Sequence, residues 1–402
     1  MTVEFFPSRA NGTVSAPPSK SIAHRALIAA ALSDGVSTVQ NVAPSEDLLA
    51  TIDCLSALGA MIEYDSATAV VTGIFLNDIP DGAILPCRDS GSTLRFLIPL
   101  VLTTGKEFTF TGSKRLFSRP LGVYEDICRK QGLRFECGDT SLTVQGILSP
   151  GEYSVPGDIS SQFVTGLCLA LPLLDGNSSL TVLPPVQSQS YIDMTWQILN
   201  EYGIISARKN HEFCIPGRQC YSALDYLVEG DWSNAAFLDA LNLLGGNVEV
   251  TGLFDGSCQG DRIYPRLFDA LRSGTPTLDL SDCPDLGPVC FALAAVLHGA
   301  AFTGVRRLRL KESDRIASMT EELRKFGAEF SVTDDCVCIS PSALHGPGVP
   351  LSGHNDHRVV MALAVLASRT GGVITGAEAV SKSFPNFFDR LESLGIRMIR
   401  IS

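Results

Sequence analysis

RRLRLKESDRIASMTEELRKFGAEFSV, residues Arg306–Val332, carries both the unit that this chain repeats and the densest charge in its sequence. Its second part, MTEELRKFGAEFSV (319–332), is a helical pattern, then Phe326-Gly327, then a β-prone run. The same unit recurs as LLATIDCLSALGAMIEY (48–64), VYEDICRKQGLRFEC (123–137), YIDMTWQILNEYGIISA (191–207) and FFDRLESLGIRMIRI (387–401), with RLFDALRSGTPTLDL (266–280) a poorer member. Gly59, Gly132, Gly203, Gly274, Gly327 and Gly395 are expected to end these helices in the left-handed conformation, where glycine carries no Cβ penalty. The copies lie roughly 50–75 residues apart, beyond a solenoid period, so each marks one α/β subdomain, and six copies divide into three per half.

The first part, RRLRLKESDR, sets five cations and two carboxylates within ten residues. It follows CPDLGPVCFALAAVLHGAAF (283–302), where Asp285 stands at the mouth of an apolar helix. Charge of this density is costly to bury unpaired. The pattern fits an anion site with an acid and a base beside it. It fits equally a solvated, salt-bridged helix start, with Ser313 capping and Asp314 complementing the helix dipole.

Composition narrows the classes. With 402 residues and 45% hydrophobic content the chain is globular, with room for about two domains. A net charge of −12 argues against binding nucleic acid or a membrane surface, so any anionic ligand needs a locally positive cleft. The twelve cysteines are scattered, with a single C-x-C (Cys336, Cys338), and give neither a disulfide framework nor a zinc pattern. No signal-like start and no apolar run of roughly 18 residues is present. A soluble, cytoplasmic, monomeric protein is expected.

Between the repeats lie second apolar helices: Ser21–Leu32, Ser92–Leu102, Ser161–Leu174, Ser233–Leu244, Leu286–His298 and Asp356–Ser368. Nearly free of charge beyond their first turns, they are expected to be buried all round. Their polar groups, among them Lys20, Arg25, Gln162, Asp285, His357 and Arg358, gather at the amino-terminal ends. Free N–H groups and the positive end of the helix dipole suit phosphate and carboxylate there. Six independently capped structural helices would show the same residues.

No Walker loop, G-x-G-x-x-G, H-E-x-x-H or nucleophile elbow occurs. What remains is a set of cation-bearing loops: PPSKSIAHR (17–25), DSGSTLR (89–95), GSKRLFSRP (112–120), GDISSQ (157–162), GHNDHR (353–358) and SKSFPNFF (381–388). With PSKS-x-x-HR, SGST-x-R, SRP, SSQF, SYIDMT, CPD, LKESDR, NDHR and SKSFPNFF in this order from end to end, the chain resembles the 5-enolpyruvylshikimate-3-phosphate synthase (3-phosphoshikimate 1-carboxyvinyltransferase) family of enolpyruvyl transferases. The resemblance implies a two-domain inside-out α/β fold, each domain built from three similar βαβαββ-type units around buried helices. It places residues 14–228 in an amino-terminal domain, and residues 1–13 with 229–402 in a carboxy-terminal one.

By the same resemblance, shikimate 3-phosphate meets Lys20, Ser21, Arg25, Ser160, Ser161, Gln162, Ser188, Tyr191, Asp285 and Lys311. Phosphoenolpyruvate meets Lys20, Gly91, Arg119, Gln162, Arg315, Arg358 and Lys382. Two phosphates and two carboxylates bring together roughly five or six negative charges, which only converging Arg and Lys offset. The implied reaction is addition followed by elimination, with Asp285 as proton acceptor at the 5-hydroxyl, Glu312 as donor to C3 of phosphoenolpyruvate, and Lys20 sharing the proton traffic. No metal and no organic cofactor is implied. Asp89 and Arg307 depart from the family, which carries Asn at the first position and, in some members, at the second. His24 and His354 read as structural, and the His354/His357 pair as part of an ion-pair network rather than a metal site. The related transferase acting on UDP-N-acetylglucosamine is the rival; its reactive loop cysteine has no counterpart in GSKRLFSRP, and its Lys-Asn stands where this chain has Lys20-Ser21. The other rival is an anion-binding protein that keeps the fold without the chemistry.

Overall fold

The structure, a computed structural model, describes residues 1–74, 78–341, 343 and 345–401. The chain divides into two compact units, Met1–Pro17 with Gly230–Ser402, and Pro18–Glu229. They are called here the terminal and the inserted unit. The passage between them lies at Pro17 and Pro18 rather than at residue 13, because the strand Asn11–Ser15 pairs in parallel through Ser15 with Asn247–Thr251 of the terminal unit.

In the inserted unit the βαβαββ pattern is seen whole in residues 83–145. Strand Ala83–Arg88 leads into helix Gly91–Val101, strand Glu107–Gly112, helix Gly122–Gln131, and strands Arg134–Cys137 and Ser141–Gln145. The first two strands pair in parallel, as a helical crossover requires, and the last two join antiparallel, giving a four-stranded sheet. Residues 152–215 repeat this order. The remaining four-stranded sheet borrows its outer strand, Asp225–Leu227, from the far end of the unit. The terminal unit does likewise: Thr2–Phe6 lies between Gly372–Thr375 and Arg397–Ile401. Thr277–Asp279, Ala300–Thr303, Cys336–Ser340 and Glu329–Val332 form its other four-stranded sheet.

The helices read as buried are buried. Lys20–Ala31, Gly91–Val101 and Ser161–Ala170 enter the core of the inserted unit, and Trp232–Leu243, Gly287–Val296 and His357–Thr370 that of the terminal unit. Alanine, leucine and valine on every side leave these helices no solvent face, so their chemistry is confined to their ends. Ser90, Ser160, Asp231 and Asp356 accept first-turn backbone N–H groups there. The repeat helices are amphipathic. Gly59, Gly132, Gly203, Gly327 and Gly395 follow them with positive φ, as the pattern predicts. Gly274 does not: its φ of 167° is extended backbone, and the chain runs on through Pro276 without a left-handed cap. Among the described residues no helix is long and apolar enough to cross a membrane, and the twelve cysteines are free.

Candidate active site

In the inserted unit, four amino-terminal helix ends carry the expected residues. Lys20 opens its helix with Nζ 2.7 Å from Asp47 Oδ2, and Asp47 stands in the first turn of Glu46–Ala57. Arg25, one turn on, is buried against the Phe96 ring, 5.1 Å from its centroid. Its Nε donates to Thr195 Oγ1 (2.9 Å), Nη1 to the Ser21 carbonyl (2.6 Å), and Nη2 to Thr165 Oγ1 and the Tyr191 carbonyl (both 3.1 Å). All four acceptors are neutral. The guanidinium is therefore held in place without its charge being cancelled, and burial brings its pKa down to about 10. Arg25 thus braces Ser21 and Tyr191 as well as supplying field. Ser188 begins the Gln189–Glu201 helix from a left-handed φ of 55°, a strained conformation for serine.

Gln162 joins two other expected elements. Its Oε1 accepts from Arg95 Nη1 (2.7 Å) and its Nε2 donates to Ser92 Oγ (2.9 Å), while Arg95 Nη2 reaches the Pro120 carbonyl (3.0 Å). The glycine beside Ser92 is equally constrained. A Cβ built on Gly91 lies 2.5 Å from Arg119 Nη1 and 2.8 Å from Cζ, so this guanidinium packs where a side chain would stand.

In the terminal unit one arginine gathers three carboxylates. Arg315, 1% exposed, donates from Nε to Asp356 Oδ2 (2.8 Å), from Nη1 to Asp285 Oδ1 (2.7 Å) and from Nη2 to Glu312 Oε2 (2.8 Å). Burial would lower its pKa, but Asp356, Glu312 and Asp285 together hold it above the usual arginine value. Asp356, wholly buried, is pulled the other way: burial raises its pKa, and Arg315 overcomes this to leave it below the ordinary range. Asp285 also meets Arg358 Nη2 (3.1 Å) through Oδ2 and Lys311 Nζ (3.4 Å) through Oδ1. Burial lowers the Lys311 pKa to about 8 against the pull of Asp285, with Arg315 and Arg307 adding to the fall. Lys382 Nζ donates to the Asn355 carbonyl (2.9 Å), beside Asp356. His354 and Asn355 both take positive φ to shape this turn.

The LKESDR segment is therefore not a solvated helix start. Nor does Ser313 cap it: Asp314 accepts the Ala317 N–H, and the Ser313 hydroxyl donates to Asp356 at 3.1 Å. Glu321, Glu322 and His354 place possible ligand atoms within 4.8 Å of one another, but Lys325 Nζ already lies 2.8 and 2.9 Å from the Glu322 oxygens. An ammonium in that position, with His354 Nε2 2.9 Å from Glu322 Oε1, makes this an ion-pair network. His24 is likewise structural, its Nδ1 2.8 Å from Thr51 Oγ1, with burial, then Lys20 and Arg25, holding its pKa well below 6.5. Asp285, Lys311, Glu312, Arg315 and Arg358 thus form one network. Ser160 contributes its hydroxyl to the Gln162 N–H, and Ser161 begins the same helix. The sequence pattern does not single out Asp47, Thr165 or Thr195. Asp47, two residues after the helix-capping Ser45, offers the one recoverable signal, an acid in a buried first turn.

Paired carboxylates held by guanidiniums at one set of buried helix ends, and cations and hydroxyls at another, define an enzyme that handles small anionic substrates with acid–base chemistry. The family model described as EPSP synthase (3-phosphoshikimate 1-carboxyvinyltransferase) matches residues 6–270 and 266–391, and the chain belongs to that family. It is 41% identical to a protein of Clostridium kluyveri named 3-phosphoshikimate 1-carboxyvinyltransferase, over 98% of this chain and 97% of that one. Relatives of the same name from Clostridium novyi (38%; 98% of this chain, 97% of that one) and Clostridioides difficile (35%; 99% and 98%) match as fully. An EPSP synthase structure from Acinetobacter baumannii superposes with a TM-score of 0.80, covering 99% of this chain and 100% of that one at 21% identity, which establishes the shared fold.

Proposed function

We propose that the chain transfers the enolpyruvyl group of phosphoenolpyruvate to the 5-hydroxyl of shikimate 3-phosphate and releases phosphate, a step of aromatic biosynthesis. The observation that carries the assignment is the Arg315 fork, which holds Asp285 and Glu312 on separate nitrogens at 2.7 and 2.8 Å. Two carboxylates spaced by one guanidinium supply the base and the acid that addition across a double bond requires. Asp285 takes the hydroxyl proton as the oxygen attacks C2, and Glu312 gives a proton to C3, forming a tetrahedral ketal. Loss of a C3 proton and cleavage of the C2–O bond to phosphate then complete the transfer. Lys20 shares the proton traffic at the hydroxyl.

Lys20, Arg119, Arg315, Arg358 and Lys382 are the phosphoenolpyruvate cations, and Gly91 and Gln162 also meet that substrate. Lys20, Ser21, Arg25, Ser160, Ser161, Gln162, Ser188, Tyr191, Asp285 and Lys311 receive shikimate 3-phosphate. A substrate anion takes over guanidinium donors that carboxylates occupy here, so binding frees Asp285 and Glu312 for proton transfer. The decisive measurement is phosphate release from phosphoenolpyruvate with shikimate 3-phosphate and, separately, with UDP-N-acetylglucosamine. Turnover is expected with the first alone; turnover with the nucleotide sugar alone overturns the assignment.

A further inference from the structure

The C-x-C pair of the terminal unit has no part in the transfer, and it stands where packing does not call for cysteine. Strand Cys336–Ser340 alternates: Val337 and Ile339 turn into the core, while Cys336 and Cys338 face the other way, the first partly exposed and the second exposed. Cysteine is among the residue types most often buried, so two on the outward face of one strand ask for a reason other than packing. Their neighbours across the sheet are small, Thr303 beside Cys336, and Ala301 and Ser331 beside Cys338. Small neighbours leave the sulfurs open to approach from solvent.

The two sulfurs lie 3.8 Å apart. A dication with thiolate bonds of about 2.3 Å at the tetrahedral angle sets its sulfurs about 3.8 Å apart, so the pair is already spaced as a chelate. A disulfide is the poorer outcome: alternate residues of a strand stand about 6.6 Å apart at Cα, near the long limit for a bridge, and pairing on both sides holds this strand extended. The turn before Cys336 is fixed as well. The Cys336 N–H donates to Thr333 Oγ1 (3.1 Å) and the Thr333 N–H to the Cys336 carbonyl (2.8 Å). Arg309 Nη2 donates to the Thr333 carbonyl (3.0 Å) and the Arg306 N–H to Asp335 Oδ1 (2.9 Å), which pins that turn from outside. Burial, then Cys338, raise the Cys336 thiol pKa, and Asp335 adds to the rise. A cation between the sulfurs removes this opposition, because each thiolate then meets positive charge as well as its neighbour. Among the described residues no third His, Cys, Asp or Glu ligand atom lies within 4.8 Å of both sulfurs.

We infer that Cys336 and Cys338 form a bidentate dithiolate site for a thiophilic dication of the Zn²⁺ and Cd²⁺ class, with water in the remaining coordination positions. Soft thiolate ligands select such ions over Mg²⁺ and Ca²⁺, which take oxygen. With two protein ligands rather than four, the site loads and unloads with the free ion and is not a centre on which the fold depends. Both ligands must lose a proton to bind, so loading releases protons and strengthens as pH rises. The inference is independent of the reaction proposed above, in which neither cysteine has a role.

The test titrates Cd²⁺ into the reduced, chelator-stripped full chain at neutral pH and follows the thiolate-to-cadmium charge-transfer absorption. Zn²⁺ affinity is read by competition with a chromophoric chelator, with Mg²⁺ as the control ion. Cys336→Ser, Cys338→Ser and the double variant are the comparisons; Cys137, Cys214, Cys220 and Cys258, also exposed, remain in every protein and cancel. Wild type should gain a charge-transfer band, saturating at one ion per chain, that the double variant lacks. Each single serine should weaken Zn²⁺ binding by at least about tenfold, because the second sulfur no longer acts at high effective concentration. Lowering the pH should weaken wild-type binding, and excess Mg²⁺ should not displace the ion. Melting temperatures without metal should match among the four proteins, since both side chains face outward, so that lost binding reports lost ligands rather than lost fold. Equal cadmium bands and equal zinc affinities in wild type and double variant overturn the inference, as does wild-type binding that Mg²⁺ displaces. Turnover with shikimate 3-phosphate decides the proposed function alone and leaves this inference as the titration finds it.

Discussion

Arg315 concentrates the site's chemistry in one side chain, since its three nitrogens between them hold three carboxylates, Asp356 being reached by both Nε and Nη2. Glu312→Gln keeps a hydrogen-bonding group on Nη2 but removes the transferable proton. It should lower kcat by about 10²–10⁴-fold while shikimate 3-phosphate still binds, as expected for a general acid. Asp285→Ala should fall as far and also loosen the ligand, because Lys311 and Arg358 lose their shared partner. Near-normal kcat in either variant, measured by phosphate release, removes that residue from the mechanism. Lys311 gives a pH dependence of defined sign. Its pKa of about 8 lies below the ordinary 10.5, so the fold favours the neutral amine, and the charged form that an anion needs is lost as pH rises past 8. Shikimate 3-phosphate should therefore take up protons on binding near that pH and bind more weakly above it. Calorimetry in two buffers of different ionisation enthalpy reads the uptake, and Lys311→Arg, always charged, should abolish it. At this scale the cations were legible from sequence because charge is conspicuous among apolar helices. Their partners were not: Asp47, Asp356 and the exchanged roles of Ser313 and Asp314 depend on which helix ends the fold brings together.

At the scale of elements, helix amino termini do the work, and the Gly91 helix shows how closely they are fitted. Because the Arg119 guanidinium occupies the space of a Gly91 side chain, Gly91→Ala should displace a flexible side-chain end rather than backbone. The fold should survive with little change in melting temperature, while KM for phosphoenolpyruvate rises severalfold. Glyphosate, an inhibitor that the family resemblance implies fits only where this position is small, should lose more affinity than phosphoenolpyruvate does; equal losses for both ligands would sink the pocket assignment. Helices were readable because two periodic patterns alternate, one amphipathic and closed by glycine, one apolar throughout. The exception has a physical cause. The helix at Tyr264–Ser273 ends at a glycine in extended backbone, so Gly274 is a glycine that the conformation does not require.

At the scale of the whole chain, six repeats imply the α/β architecture, but not that two sheets are completed by distant segments. Asp225–Leu227 closes the first sheet of the inserted unit, and Thr2–Phe6 fills the last sheet of the terminal unit, pairings that no local pattern encodes. These closures carry the last prediction. The inserted unit buries its own core, from Ile22 to Val228, and its two ends are tied by the Ser19 N–H to the Glu229 carbonyl at 2.8 Å. Asn41 Nδ2 adds a bond to the Val228 carbonyl at 2.7 Å. A segment whose ends meet and whose strands all pair within it satisfies the conditions for folding alone. Residues 18–229 expressed by themselves should therefore unfold cooperatively, with a urea slope proportionate to their size. They retain Lys20, Ser21, Arg25 and Gln162 but lack Asp285, Lys311, Glu312 and Arg315. Shikimate 3-phosphate should accordingly raise their melting temperature, more weakly than in the full chain, and phosphate release should be absent. Residues 42–229, cut inside the strand pair that Asp225–Leu227 completes, should fail to fold, since removing Val36–Gln40 leaves that sheet without its second strand and the core without the Lys20–Ala31 helix. A cooperative transition in the shorter fragment, or none in the longer one, would show that the inserted unit's stability does not come from the closure seen at its ends.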